Sequence, residues 1–303
     1  MKPAYLTYEQ IDKIKWDTCI DQAPNGLIYA YTVYLDAMSE HWDALVLNDY
    51  EAVMPLTWNK KYTIHYLYQP PFTACLGVFG QLVNAEMFTA FLKAVPSKFN
   101  YWDIYFNHGN LYPAAGFNLY ERMNYVLDLN NTYDKLYSAY RENIKRNIKK
   151  SEQLGLKSNK NIPVVDVIQL AKEQANSFTA PGDSAFTRFK KLYKLLNEQN
   201  KAVTYGIYTK EAQLIASAVF LFSHNRAYYI LVGNHPNGKT FGASHALINA
   251  FIKDHANQKL LLDFEGSDIS SLAFFYSSFG ARQEKYSAVK LNRLPAPIKW
   301  MKP

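Results

Sequence analysis

Hydrophobic positions in the first half of the chain switch between helical spacing and strand-like alternation. The pattern predicts helices at residues 8–20, 31–38 and 84–95, and strands at residues 43–47, 52–58, 63–68, 101–106 and 124–129. Asn, Asp and Lys residues form the short connections between the first three strands, as is typical of an antiparallel meander. The first half therefore predicts a mostly antiparallel mixed sheet flanked by helices.

The second half repeats this order of elements. Its pattern predicts helices at residues 165–178, 187–199, 243–256 and 269–278, and strands at residues 202–208, 214–222, 227–232, 260–264 and 286–291. Few residues are identical, although Phe117 matches Phe279 and Leu129 matches Leu291 at the same offset. We therefore predict an α/β (α+β) fold of two tandem duplicated domains, residues 1–130 and 131–303, with the last residues packing back on the first domain.

A basic helix is predicted at residues 132–154, where the second domain begins. Apolar side chains recur every four residues on one stripe, at Leu136, Tyr140, Ile144 and Ile148. Positive side chains gather on the other faces, at Arg141, Lys145, Arg146, Lys149 and Lys150. This surface is either a solvated face or a ridge that binds an anionic substrate through Arg141, Lys145, Arg146 and Lys149.

Composition and charge limit the functional classes. The formal net charge of +7 and the pI near 9.0 favour anionic partners such as phosphates, nucleotides or RNA. Two cysteines, no apolar leader and no apolar run long enough to span a membrane indicate a cytoplasmic protein. The seven histidines form no metal-binding pair, so no metal site is expected. Motifs of serine hydrolases, P-loop NTPases and dinucleotide-binding enzymes are absent from the sequence.

A loop and helix start at residues 234–244 form the first candidate site. Lys239, Gly242 and Ser244 fall on the pattern Gln/Arg-x-x-Gly-x-Gly/Ala of the acetyl-CoA loop in GNAT acyltransferases, but only Gly242 fits it. Backbone N–H groups at a helix start hold anions, so we predict that Asn234, Lys239, Gly242 and Ser244 bind an anion or a developing oxyanion. The alternative is that Gly242 only allows the helix to approach the sheet closely.

Two carboxylates mark the end of the next predicted strand. Asp263 and Glu265 alternate with Phe264, which places both carboxylates on one face of a strand. They are candidates for accepting a proton from an attacking amine, or for bonding the backbone of the following helix. Tyr286 on the last predicted strand is a candidate proton donor.

The segments RENIKRNIKKSEQLGL, YYILVGN, DFEGS and FFYSSFGA, with YSAVKLNRLP, resemble the Fem-type (FemABX) branch of the GNAT superfamily. The resemblance is best over residues 131–295. It implies two GNAT-like domains and transfer of an acyl or aminoacyl group to an amine. In Fem members the group moves from aminoacyl-tRNA to the side-chain amine of a peptidoglycan precursor, so tRNA and a nucleotide-linked muropeptide would be the anionic partners. The chain has no room for the coiled-coil arm that some members carry.

Three functions follow as hypotheses. The first is a Fem-like N-acyltransferase with no permanently bound cofactor and with aminoacyl-tRNA as the acyl donor. The second is an N-acyltransferase that uses acyl-CoA, with Gly242 beneath the pyrophosphate. The third is a non-catalytic RNA- or nucleotide-binding protein on the same scaffold.

Overall fold

A computed structural model describes residues 2–175, 181–266, 268–295 and 299. The chain forms two compact units. Unit 1 comprises Met1–Met123 and Lys285–Pro303, and unit 2 comprises Asn124–Glu284. The sequence predicts a boundary between the two domains after residue 130, with the last residues packing back on the first domain.

The elements are numbered in chain order. The strands are β1 (Ala4–Leu6), β2 (His41–Leu47), β3 (Ala52–Lys61), β4 (Ile64–Tyr68), β5 (Phe79–Gly80), β6 (Phe99–Tyr105), β7 (Leu119–Asp128), β8 (Lys157–Lys160), β9 (Ala202–Tyr208), β10 (Leu214–Ser223), β11 (Arg226–Asn234), β12 (Leu261–Asp263) and β13 (Arg282–Asn292). The α-helices are α1 (Lys13–Gln22), α2 (Thr32–Met38), α3 (Ala85–Ala94), α4 (Tyr133–Ser138), α5 (Glu142–Gln153), α6 (Val164–Gln174), α7 (Asp183–Glu198), α8 (Pro236–Phe241), α9 (Ala243–His255) and α10 (Ser270–Ser277).

Unit 1 is a mostly antiparallel sheet with helix α3 packed on its apolar face. The strands follow the order β1-β2-β3-β4-β6-β13, and β5 pairs with β3. Only the β4–β6 pair of this path is parallel. Its core combines Phe88 and Phe91 of α3 with alternate strand side chains such as Leu56, Trp102 and Val289.

Unit 2 has the strand order β7-β12-β11-β10-β9-β8. The β11–β12 pair is parallel and the others are antiparallel. Most of β10 is buried on both faces, which explains its nearly continuous apolar sequence. Phe251 of α9 stacks on Phe220 of β10 with ring centroids 3.8 Å apart and also contacts Tyr205 of β9.

The two units share one topological pattern. In each, an antiparallel meander leads through a helix to a strand that pairs parallel with the last strand of the meander: β4-α3-β6 in unit 1 and β11-α9-β12 in unit 2. Each last strand then pairs antiparallel with one further strand, β6 with β13 and β12 with β7. The predicted α/β fold class, with mostly antiparallel sheets flanked by helices, is confirmed.

The predicted basic helix is broken into two. Helix α4 ends at Ser138 and α5 begins at Glu142, because the extended Arg141 backbone donates its N–H to the carbonyl oxygen of Ser278 at 2.9 Å. The prediction of one continuous helix is therefore wrong. The apolar stripe is nonetheless buried, at Leu136, Tyr140, Ile144 and Ile148.

Candidate active site

The loop between β11 and α9 is fixed by side-chain hydrogen bonds, one set to Gln174 at the end of α6 and one between Asn234 and Ser244. The backbone N–H and the Nδ2 of Asn234 donate to Gln174 Oε1 at 2.6 and 3.2 Å. Ser244 Oγ donates to Asn234 Oδ1 at 2.5 Å. The Asn234 side chain thus holds the loop through one donated and one accepted bond. Lys239 lies on α8, and its side chain is outside the described part of the chain.

Gly242 is required for close packing of two helices. It precedes α9 with φ +73°, in the left-handed region that favours glycine. A Cβ atom at this position would lie 2.6 Å from the backbone oxygen of Asn147 on α5. This contact supports the packing role of Gly242, and its predicted anion-binding role stays a prediction.

Asp263 lies in a buried ionic cluster of unit 2. Its Oδ2 accepts from Arg226 Nη1 at 2.5 Å, and the same Nη1 donates to Glu284 Oε2 at 2.7 Å. Arg226 Nη2 donates to Glu284 Oε1 at 3.1 Å. Asn124 Nδ2 and the Glu265 backbone N–H donate to Asp263 Oδ1 at 2.8 and 2.9 Å. Both carboxylate oxygens of Asp263 are therefore engaged, so this side chain is built to position its neighbours.

The charge of Arg226 holds that cluster together. Burial disfavours the charged guanidinium, but the attraction of Asp263 and Glu284 outweighs burial and raises the pKa of Arg226. Removing this cation would leave two carboxylates close together and largely shielded from water. The guanidinium therefore stays ionised at neutral pH.

The backbone position of Glu265 differs from the predicted one. Strand β12 ends at Asp263, and Glu265 has φ +66°, so strand alternation does not place the two carboxylates on one face. That expectation was wrong because the backbone leaves the extended conformation at Glu265. Glu265 is partly exposed. Burial of Tyr276, together with the negative charge of the Glu265 carboxylate, raises the pKa of the Tyr276 hydroxyl to about 12. Unit 2 thus combines a partly exposed carboxylate with a phenol that stays protonated at neutral pH.

Tyr286 belongs to unit 1, whereas Asp263 and Glu265 belong to unit 2. Its ring lies 6.5 Å from the Tyr105 ring, centroid to centroid. The Arg122 guanidinium lies 4.1 Å from the Tyr105 ring centroid and 5.8 Å from that of Tyr286. Tyr286 therefore takes part in an arginine–tyrosine cluster, and its role as a proton donor stays a prediction.

The basic residues around α5 divide into two groups. Arg141 lies over the Phe274 ring at 4.8 Å, and Lys145 Nζ pairs with Glu142 Oε1 at 3.1 Å. Arg146, Lys149 and Lys150 are exposed and form no ion pair with any described residue. This second group keeps its charge available to an external anion.

Several residues of this region were not found from the sequence. Arg226, Glu284, Asn124 and Tyr276 lie far apart along the chain and meet only after folding. One signal was present, since Arg226 is an isolated charge at the start of an apolar strand, and such a charge is buried only with a partner. Among the described residues, no group of three or more His, Cys, Asp or Glu side chains could hold a metal ion.

His245, in the first turn of α9, should make stability depend on pH. Its ring packs edge-on against Phe275 at 5.0 Å, and its buried Nδ1 has no hydrogen-bond partner among the described residues. Burial lowers the pKa of His245 from 6.5 to about 4. The imidazole of the unfolded chain therefore binds a proton more tightly than the buried imidazole of the folded chain. Above the unfolded pKa this difference has no effect on the free energy of unfolding. As the pH drops from about 6.5 to 4, the free energy of unfolding falls by about 2–3 kcal/mol.

Denaturant titrations across that pH window measure the effect. We expect His245→Leu to lose stability less steeply than the original chain as the pH falls, because leucine cannot take up the proton. Equal slopes for the two proteins would show that His245 does not contribute.

Comparison with solved structures places this arrangement in a known fold. The chain is similar to FemX, with a TM-score of 0.68 over 99% of each chain and 13% sequence identity. The chain has a Fem-type fold. No protein-family model matches the sequence, and no curated protein matches it.

Two further structures share the Fem-type fold. One is the C-terminal domain of an unconfirmed lysylphosphatidylglycerol synthetase from Agrobacterium fabrum, with a TM-score of 0.57, 11% identity, and coverage of 96% of this chain and 94% of that one. The other is L-PGS from Bacillus licheniformis, with a TM-score of 0.51, 10% identity, and coverage of 86% and 87%. Within the described residues, no helix combines the length and apolar character needed to cross a membrane.

Proposed function

We propose that the chain is a Fem-like N-acyltransferase that moves an aminoacyl or acyl group onto an amine. The observation that carries the proposal is the likeness to FemX along essentially the whole of both chains. The name of a second structural relative, lysylphosphatidylglycerol synthetase, specifies a product with a lysyl group. Fold likeness alone does not assign a reaction, so the residues of unit 2 must supply its chemistry.

Glu265 is the proposed proton acceptor. The acceptor amine attacks the carbonyl carbon of the acyl ester, its proton passes to the Glu265 carboxylate, and the carbon–oxygen bond of the ester breaks. The leaving alcohol takes up a proton from solvent or from the protonated Glu265. The bond from the Glu265 backbone N–H to Asp263 Oδ1 fixes the loop that carries this carboxylate, so Asp263 acts by positioning.

Tyr276 and the start of α9 are proposed to stabilise the transition state. The Tyr276 hydroxyl, with its pKa near 12, remains a hydrogen-bond donor at neutral pH. The start of α9, with the Asn234 and Ser244 side chains beside it, is proposed to favour the negative charge of a tetrahedral oxyanion, because the N-terminus of a helix carries partial positive charge. Transfer between two bound substrates gains much of its rate from orientation, so no protein nucleophile is needed.

Aminoacyl-tRNA is the proposed donor, because a polyanion suits the exposed charges of Arg146, Lys149 and Lys150. A nucleotide-linked amine is the corresponding acceptor. The packing of Gly242 against α5 argues against a CoA pyrophosphate beneath it. Acyl-CoA dependence is the competing outcome of the binding test, and non-catalytic RNA binding is distinguished by an assay for an amide product.

Titration of the protein with tRNA and, separately, with CoA tests the donor. We expect tRNA to bind in a salt-dependent way, and the variant Arg146→Gln/Lys149→Gln/Lys150→Gln to bind about 10-fold more weakly with a reduced salt slope. The matched control is Lys190→Gln/Lys191→Gln/Lys194→Gln, which removes three exposed charges from α7. Equal losses in both variants would indicate nonspecific attraction, and binding of CoA without tRNA would support the acyl-CoA reaction.

A further inference from the structure

A cavity of about 570 Å³ lies in unit 1, beside helix α1. Its wall is formed by residues of α1, the turn between β2 and β3, the segment that follows β5 and the first turn of α3. This volume is within the range of small-molecule sites. None of the residues assigned to acyl transfer lines the cavity, so a ligand bound here would serve another purpose.

Hydrogen bonds tie both ends of α1 to other parts of the cavity wall. Where the helix begins, the Asp12 backbone N–H donates to the Tyr50 hydroxyl of the β2–β3 turn at 2.7 Å. Where the helix ends, Gln81 Nε2 donates to Gln22 Oε1 at 3.1 Å. These two bridges fix the distance between α1 and the segments that face it, so the fold maintains the cavity.

Two aliphatic side chains of the wall are almost fully exposed to water. Ile14 is 82% exposed and Leu82 is 83% exposed, the largest values for any large apolar side chain that the structure describes. Single exposed apolar residues are common on protein surfaces, but two of them around one cavity mark a binding site. Cys19 and Met87 of the same wall are only 8% and 9% exposed and add apolar, polarisable surface.

The charged side chains of the wall already have partners. Lys15 Nζ pairs with Asp49 at 2.6 Å, and Glu51 Oε2 accepts from Asn48 Nδ2 at 2.7 Å. Asn48 is neutral, so the Glu51 carboxylate keeps a negative charge that no described cation balances. The wall therefore offers a ligand apolar surface and a net negative charge, although the chain as a whole is basic.

We propose that this cavity binds a linear alkyl chain with an uncharged polar head group, the chemistry of a medium-chain alcohol. The alkyl chain contacts Ile14 and Leu82 and removes their side chains from water, which provides the driving force. Met87 has a flexible side chain that adapts to the shape of the ligand. A carboxylate head group is disfavoured, because it would lose water close to the charge of Glu51. The proposal goes beyond acyl transfer and does not depend on it.

Calorimetric titration of the whole protein with n-butanol, n-hexanol, n-octanol and octanoate tests the proposal. We expect n-octanol to bind saturably, and each added methylene group in the alcohol series to tighten binding about 4-fold. Octanoate should bind at least about 10-fold more weakly than n-octanol, despite the positive net charge of the chain. No saturable binding of n-octanol, an affinity independent of chain length, or equal binding of octanoate would overturn the assignment.

Variants of the two exposed side chains locate the binding site. Ile14→Gln/Leu82→Gln should weaken n-octanol binding about 10-fold, because the ligand then buries less apolar surface. Both side chains are exposed, so the unfolding transition should stay unchanged. The matched control is Leu154→Gln/Leu195→Gln, which alters two exposed leucines of unit 2 and should leave the affinity unchanged. Unaltered binding in Ile14→Gln/Leu82→Gln, or equal losses in both variants, would contradict the proposal.

Discussion

Replacing Arg226 by methionine should lower the free energy of unfolding by about 3–5 kcal/mol, the cost of breaking a buried ion pair. Methionine keeps the aliphatic length of the side chain but leaves the carboxylates of Asp263 and Glu284 without their shared cation. The Arg226 and Asp263 side chains are only 8% and 7% exposed, so water cannot take over the lost bonds. Chemical denaturation followed by circular dichroism measures the change.

The matched control for Arg226→Met is Lys285→Met. Lys285 pairs with Glu121 at 2.8 Å, but these side chains are 52% and 63% exposed, so the loss should stay below about 1 kcal/mol. Adding Asp263→Asn and Glu284→Gln to Arg226→Met should recover part of the stability, because no unpaired charge remains. Equal costs for Arg226→Met and Lys285→Met would show that the cluster does not hold this region together.

Replacing Glu265 by glutamine should lower kcat/KM for amide formation by about 10²–10⁴-fold, the usual contribution of a general base. Glutamine keeps the size and shape of the side chain but cannot accept the proton of the attacking amine. Because Glu265 is partly exposed, the free energy of unfolding should change by no more than about 0.5 kcal/mol. Steady-state kinetics and denaturation of the same preparation separate the two effects.

Two neighbouring carboxylates serve as comparisons for Glu265→Gln. Asp268→Asn alters an exposed side chain close by in the chain and should not cause a comparable loss of turnover. Asp263→Asn should lower both turnover and stability, because Asp263 binds Arg226 as well as the Glu265 backbone N–H. Full turnover in Glu265→Gln would mean that another group, or the substrate itself, accepts the proton.

The hydrophobic pattern predicted the order of elements well, because strand alternation and helical stripes are properties of local sequence. Both parallel pairs follow from the predicted strand–helix–strand order. The apolar residues predicted to recur every four positions, Leu136, Tyr140, Ile144 and Ile148, are all buried. Strand β8 was missed, since its four residues are polar and exposed and only pairing with β9 defines it.

The errors arose where tertiary contacts override local pattern. Nothing near Arg141 signals that its N–H bonds to Ser278, which breaks the predicted helix. The sequence predicted Asp263 and Glu265 as a pair on one face of a strand end, but β12 ends at Asp263 and Glu265 has φ +66°, so the two carboxylates lie in different environments. The partners Arg226 and Glu284 could not be read from spacing, because their approach depends on sheet pairing and burial.

The most direct test of the proposed function is mass-spectrometric detection of a new amide. The purified protein is incubated with a mixed pool of aminoacyl-tRNAs and a set of nucleotide-linked and free amines, in parallel with acyl-CoA donors and with Glu265→Gln. We expect an amide product from aminoacyl-tRNA that is strongly reduced in Glu265→Gln. Absence of any amide from both kinds of donor, with a folded protein that still binds tRNA, would contradict it.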